Sequence, residues 1–321
     1  MDKKCIEIKK WSVKEAQQAC NELAEGGWIR VFQENGIENL SILDEHFFSK
    51  RGDACLDVYI SAESDEFFNA LANMRNLNDL NLNILEKGNY STLRVPTNIS
   101  SLTIRPCVDI AIDFIAECKM LEYLSVEANP AVKGVKMGNI KSFAPVAACK
   151  NIKALSLVCV KGADFSFAKS MKIERIYLSK VTSYKNFTDL FTDSLKKLFI
   201  ADMYTFTDLS FLASCTNLEN LSLYRTTGIT SLEGIPNPQS LRILSIDSVK
   251  TIEDLTLLSK TINLEDLALQ FSGGKTDKKQ LGKMIISLPA LKSVYFLFES
   301  MSFYRTLKQM LEDAGKGDLI R

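Results

Sequence analysis

Histidine occurs once in this 321-residue chain, at His46, beside Asp44 and Glu45. Imidazole next to carboxylates could move a proton, but general-base catalysis also needs a reacting group held at hydrogen-bond distance. No such partner is evident in the spacing, and a single His in a charged run reads first as a surface residue. The patterns GxSxG, GxGxxG and GxxxxGK followed by Ser or Thr are absent. Ser272, Gly273, Gly274, Lys275 and Thr276 resemble a phosphate loop at first sight, but the glycines stand too close to the lysine, so a flexible loop is expected. Eight cysteines are present without one CxxC pair, and His partners at ligand spacing are missing. The chemistry-bearing residues therefore predict no catalytic residue, no metal and no cofactor.

Lys and Arg together number 39 and so do Asp and Glu, which predicts no bulk attraction to nucleic acid or anionic lipid and favours a protein partner. The first residues, MDKKCIEIKKWSVKEAQQ, carry charges and no apolar stretch of signal type, and no run reaches a membrane span. With the unpaired cysteines, this predicts reduced thiols and a cytoplasmic location.

What must position any site is a phrase that returns along the chain as apolar-x-x-apolar-x-apolar. It reads Leu77–Leu80–Leu82, Ile99–Leu102–Ile104, Leu121–Leu124–Val126, Ile152–Leu155–Leu157 and Ile173–Ile176–Leu178. It continues as Leu195–Leu198–Ile200, Leu218–Leu221–Leu223, Leu241–Leu244–Ile246, Leu264–Leu267–Leu269 and Leu291–Val294–Phe296. Successive starts lie 21 to 23 residues apart, except for two longer steps of 31 and 27. A fixed period of this size marks a stacked array, because one unit cannot bury its own apolar face.

Within a unit, the apolar-x-apolar pair has the period of a half-buried strand. Later residues such as Ile229, Leu232 and Ile235, or Ile252, Leu255 and Leu258, are spaced by three, which predicts a 3₁₀ turn on the opposite side. Cys118, Cys149 and Cys215 each stand three residues before a phrase, which predicts a buried column of small apolar side chains.

These residues resemble the leucine-rich repeat family, in its short bacterial form of 22 to 23 residues per unit, over roughly residues 55 to 298. The resemblance implies an α/β solenoid with a curved parallel sheet on the concave side and turns, 3₁₀ and short helices on the convex side. One column departs from the family. Where Asn, Cys or Thr is usual, the chain has Leu85, Cys107, Asn129, Val160, Val181, Met203, Thr226, Val249, Ser272 and Glu299. The polar ladder of the turns is mostly replaced by apolar filling, so those backbone groups need another partner. Some bacterial relatives carry a catalytic cysteine domain after the array; the residues after the last phrase are too few for one.

Three regions are expected: an α/β cap over 1–50, an array of about ten to twelve units over 51–298, and a capping helix within 299–321. Ser12 and Glu15 form a capping box for a helix to about Ala24, ended by Gly26 and Gly27, with a second strand from Trp28. Ile37–Leu40–Ile42 and Cys55–Val58–Ile60 fit the phrase loosely, and helices are expected at Asp65–Met74, up to Ser287 and over Ser302–Ala314. Inserted loops are expected near 129–139 and 271–280.

On the concave face, the column between the strand leucines runs Asn81, Thr103, Ser125, Ser156, Tyr177, Phe199, Ser222, Ser245, Ala268 and Tyr295. Small residues dominate, and the adjacent Tyr177 and Phe199 stand out, flanked by Arg175, Lys197 and Tyr224, with Asp247 and Asp266 further on. Aromatic groups beside cations have the composition of a binding hot spot. Cross-strand aromatic pairing that merely covers the sheet is the alternative. The expected function is a monomeric, non-enzymatic scaffold that binds a protein on this face, in a narrower version an inhibitor or immunity-type protein. A different class stays open: a ligand-sensing or enzymatic protein working through the N-terminal cap, with Trp28, His46, Asp44 and Glu45.

Overall fold

Each repeated phrase sets its last two apolar residues on a short strand. In the computed structural model, which describes residues 3–86, 88, 90–128, 138–271, 277–298 and 300–321, the chain divides into two compact units. One comprises Met1–Lys172 with Thr182–Lys185, the other Ile173–Val181 with Asn186–Arg321.

The first unit holds strands β1 (Lys3–Glu7), β2 (Leu23–Phe32), β3 (Cys55–Ile60), β4 (Asp79–Ile84), β5 (Ser101–Pro106), β6 (Tyr123–Glu127) and β7 (Ala154–Val158). Each pairs in parallel with the next in chain order. The second unit holds β8 (Arg175–Ser179), β9 (Lys197–Ala201), β10 (Asn220–Tyr224), β11 (Ile243–Asp247), β12 (Asp266–Phe271) and β13 (Ser293–Phe298), again parallel and in order. Parallel neighbours need a crossover, and here it is a 3₁₀ turn, as at Asp113–Glu117, Ala144–Ala148, Ser210–Leu212 and Thr256–Lys260. The inward strand positions, from Leu80 and Leu82 through Val294 and Phe296, are at most 4% exposed. Each such leucine contributes about 1.5–3 kcal/mol by burial, which makes these columns the main source of stability. Cys118, Cys149 and Cys215 are buried as expected, and burial pushes the thiols of Cys118 and Cys215 up to about 12.

The turn that follows each strand shows how the missing polar ladder is replaced. In the second unit Lys180, Asp202, Arg225 and Ser248 adopt left-handed backbone, with φ of 53°, 52°, 45° and 56°. Each then donates its N–H to a carbonyl at the end of the following strand: to Ala201, Tyr224 and Asp247 at the last residue, and to Gln270 one residue before it. The strand ladder thus gains one more rung, and the next residue (Val181, Met203, Thr226 or Val249) points inward and is buried. Thr226 keeps a buried hydroxyl with no partner among the described residues.

The asparagine ladder itself has moved to the other turn. Asn98, Asn151, Asn217 and Asn263 stand directly before the first apolar residue of their phrases. Their side-chain amides donate to carbonyls one repeat back: Asn98 to Arg75 and Leu77, Asn151 to Lys119, Asn217 to Asp193, and Asn263 to Gln239, at 2.8–3.1 Å. Ser194 and Ser240 fill the same place with hydroxyls bonded to the carbonyls of Ile173 and Leu218.

The N-terminal elements depart from expectation at two points. The capping box is present and opens helix α1 (Val13–Glu22). The glycines do not end it, because the chain is already extended from Leu23, and both lie inside β2 where the register with β1 shifts. Gly26 is left-handed at φ 65°, and a Cβ on Gly27 would meet the Lys4 carbonyl at 2.9 Å. The helix end is closed by Arg51, whose guanidinium donates to the carbonyls of Cys20, Leu23 and Ala24.

Ile37–Leu40–Ile42 is not a strand but part of helix α2 (Glu38–Leu43), continued by a π-type turn at Asp44–Phe48. The buried residues Leu40, Leu43, Phe47 and Phe48 have helical spacing, which outweighs a phrase of three letters. Helices α3 (Asp65–Ala72), α4 (Lys278–Ser287) and α5 (Met301–Asp313) stand close to their expected places. Beyond α5, Ile320 bridges Val294 in parallel, so the terminal segment lies along β13. The expectations for Asn129, Glu299, the segment 129–137 and Ser272 to Thr276 fall outside the described residues.

Candidate functional site

Parallel register sets Arg175 opposite Lys197 and Tyr177 opposite Phe199. Alternation along β8 and β9 turns these four away from the buried Ile176, Leu178, Leu198 and Ile200, onto one outer face. The Tyr177 and Phe199 rings are stacked, 4.6 Å apart and 3° from parallel, and Tyr177 is 39% exposed. Arg175 and Lys197 are exposed on neighbouring strands, about 4.8 Å apart in backbone. Neither makes an ion pair among the described residues, although Lys196, one residue away, bonds Glu174 at 3.1 Å. Like charges directly opposite on paired strands repel, so this arrangement costs stability unless something anionic joins it.

Tyr224 is not part of the stack. It pairs in register with Ala201, one pleat beyond Phe199, and Arg225 lies over its ring at 4.5 Å. Arg225 is in turn bonded to Asp202 at 2.8 Å, and the Tyr204 hydroxyl donates to the same carboxylate at 3.3 Å. The carboxylate beside it pushes the Arg225 guanidinium pKa upward. Of the five expected residues, four form one cluster and Tyr224 belongs to a neighbouring, self-satisfied one.

Three exposed apolar residues lie further along the second unit, on β11 and β13: Ile243 at 36%, Tyr295 at 42% and Leu297 at 49%; Tyr295 stood in the expected outward column, while Ile243 and Leu297 escaped the sequence reasoning. Tyr295 stands in the row of Ala268 and Ser245, and Leu297 in the row of Gln270 and Asp247. Their signal was available in the outward positions of β13, which alternate with the buried Val294, Phe296 and Phe298.

The outer face of the first unit is built differently. Glu7, Arg30, Asp57, Arg105 and Glu127 form a continuous chain of ion pairs, with contacts of 3.6, 3.3, 3.8 and 2.7 Å. Asp57 is buried and also accepts from Asn83 at 2.8 Å. An aromatic pair there, Phe32 and Tyr59, has Arg30 over the Tyr59 ring at 5.2 Å.

The residues considered for a cap-based activity are not assembled. Trp28 shares the outer face of β2 with Arg30 and Phe32. His46 sits behind the strands, where its carbonyl accepts the Cys20 thiol at 3.8 Å. Asp44 is committed to structure: its carboxylate accepts the backbone N–H groups of Arg75 and Asn76 at 3.0 and 2.8 Å.

No family model and no curated protein matches this sequence. Among solved structures, an internalin (inlF) from Listeria monocytogenes str. 4b F2365 is similar over 83% of this chain and 74% of its own, at 17% identity and a TM-score of 0.48. Internalin C2 (inlC2) from the same strain is similar over 63% of this chain and 74% of its own, at 16% identity and a TM-score of 0.34. By its own parallel strand ladders, buried leucine columns and 3₁₀ crossovers, the chain folds as a leucine-rich repeat array.

Proposed function

We propose that this chain is a non-enzymatic scaffold that holds a protein partner against the outer face of β8 and β9. The observation that carries this reading is the parallel, stacked Tyr177–Phe199 pair beside Arg175 and Lys197, neither of which has an ion-pair partner among the described residues. A stacked aromatic pair offers a rigid apolar platform at small entropic cost, and cations beside it supply direction, which is the makeup of a binding hot spot. The chain works as a monomer in the cytoplasm, a location supported by its eight free cysteines. Its narrower role is that of an inhibitor or immunity-type protein, an assignment by analogy with other repeat inhibitors.

The test is affinity capture from an extract of the source cells, with mass spectrometry of what is retained, repeated with Tyr177→Ala combined with Phe199→Ala. The double variant should keep the circular dichroism and melting temperature of the parent and lose the partner. Undiminished capture by a folded double variant overturns the proposal. Assaying the captured protein with and without the chain tests the inhibitor role, which fails if its activity is unchanged.

A further inference from the structure

Charge pairing across strands is the rule in the second unit, and Arg175 with Lys197 is its exception. Lys196 meets Glu174, Arg225 meets Asp202, and Arg242 and Lys292 both meet Glu265, at 2.5–3.1 Å. Further along the same face the sign reverses. Asp247 on β11 accepts only the Ser248 hydroxyl among its described side-chain partners, and Asp266 on β12 holds Ser293 with Arg321 at 3.9 Å. Between the two ends lie Ser222 and Ser245, which leave the backbone floor open to close approach. From β9 to β11 and β12 is two to three strand spacings, about 10–14 Å, or three to four residues of extended chain.

From this we infer, resting on the reading of the face as a protein-binding surface, that the partner docks an extended, charge-polarised segment. Its acidic residues lie between Arg175 and Lys197, an aromatic or other flat apolar side chain covers the Tyr177–Phe199 pair, and a basic residue three to four positions away meets Asp247 and Asp266. Cations beside stacked rings also suit single-stranded nucleic acid. A polyanion continuing across the strands would meet Asp247 and Asp266, whereas a segment of alternating sign gains at both ends.

The experiment pans phage-displayed random dodecapeptides on the full chain and measures the selected peptides by fluorescence anisotropy. Peptides pairing acidic residues with an aromatic and a basic residue three to four positions on should be enriched. Their binding should fall at least ~tenfold with Arg175→Glu combined with Lys197→Glu, and should be regained by peptides with the acidic positions made basic. Both variants are surface changes, and unaltered melting temperature confirms that they fold. Selected peptides that need Tyr177 and Phe199 but are indifferent to the charge reversal overturn this inference and leave the binding face standing. A panel in which no peptide depends on Tyr177 and Phe199 overturns both. Tight binding of a fluorescein-labelled oligouridylate of twelve nucleotides, lost in the same charge reversal, overturns the peptide in favour of nucleic acid.

Discussion

The outer faces of the two units are built on strands of the same kind and follow opposite strategies. In the first, each large charge finds its counterpart on a neighbouring strand, so that Glu7, Arg30, Asp57, Arg105 and Glu127 satisfy one another. In the second, Arg175 and Lys197 face each other with no acidic partner among the described residues, and Tyr177 and Phe199 stack at the surface. A partner that approached the first face would have to break ion pairs before making its own. At the second it would relieve a repulsion. The difference separates a face finished by folding from one left to be finished by binding.

The largest blow to this contrast would come from Asp57→Ala. It leaves Arg30 and Arg105 without their shared carboxylate, and breaking a buried pair is costly; both guanidinium groups are about one-third exposed, which reduces the penalty to roughly 2–3 kcal/mol. Urea unfolding measures it, and a loss under about 0.5 kcal/mol would show the ladder to be ornamental.

Next comes the turn geometry, which changes along the array. Leu85, Cys107 and Ala128 follow their strands without left-handed backbone, whereas Cys159, after the last strand of the first unit, and Lys180, Asp202, Arg225 and Ser248 in the second all adopt it. Ser248→Gly should therefore stabilise by about 1 kcal/mol, since glycine carries no Cβ penalty there. The same denaturant titration checks it, and destabilisation would mean the serine side chain matters more than the backbone.

A smaller effect is expected from Arg175→Ala combined with Lys197→Ala. Removing two like charges from an exposed face should leave stability unchanged or raise it by up to about 0.5 kcal/mol. Arg105→Ala in the other unit should lower it. Equal losses in both would erase the distinction drawn here.

The mildest change concerns pH. Burial raises the Asp79 carboxyl above its usual range, against hydrogen bonds from Ser101 and Cys55 that pull it down. The folded chain therefore holds this proton to higher pH than the unfolded chain does, and its contribution to stability falls as pH rises from the ordinary carboxylate value through the folded one. Asp79→Asn should flatten that fall in the stability profile, which begins near the ordinary aspartate value of about pH 4 and extends upward, and leave the second unit unaffected. A profile identical to the parent would show that Asp79 is not the group responsible.

Much of the fold was legible because leucine periodicity is a local, repeated signal. The phrase Leu218–Leu221–Leu223 predicts a strand with two buried residues, and β10 buries Leu221 and Leu223. The asparagine ladder was missed although Asn98, Asn151, Asn217 and Asn263 recur in register. Which carbonyls these amides reach depends on how the repeats stack, which no single repeat shows. Ile37–Leu40–Ile42 misled because three apolar letters suit a helix as well as a strand, and only the packing of Leu40, Leu43 and Phe47 distinguishes them. In the candidate site, Arg175, Tyr177, Lys197 and Phe199 were legible from alternation within single strands. That Tyr224 is covered by Arg225 was not, because Arg225 is itself left-handed and turns its side chain toward Asp202 on the neighbouring repeat.

By itself, the sequence determined the period, the identity of the buried columns and the row in which each outward side chain stands, since these follow from repeat length and strand alternation. Only the tertiary structure decided which outward charges are neutralised. Strand neighbours lie some twenty residues apart in the chain and under 5 Å apart in the sheet, so pairing is a property of the stacked array, not of any one repeat.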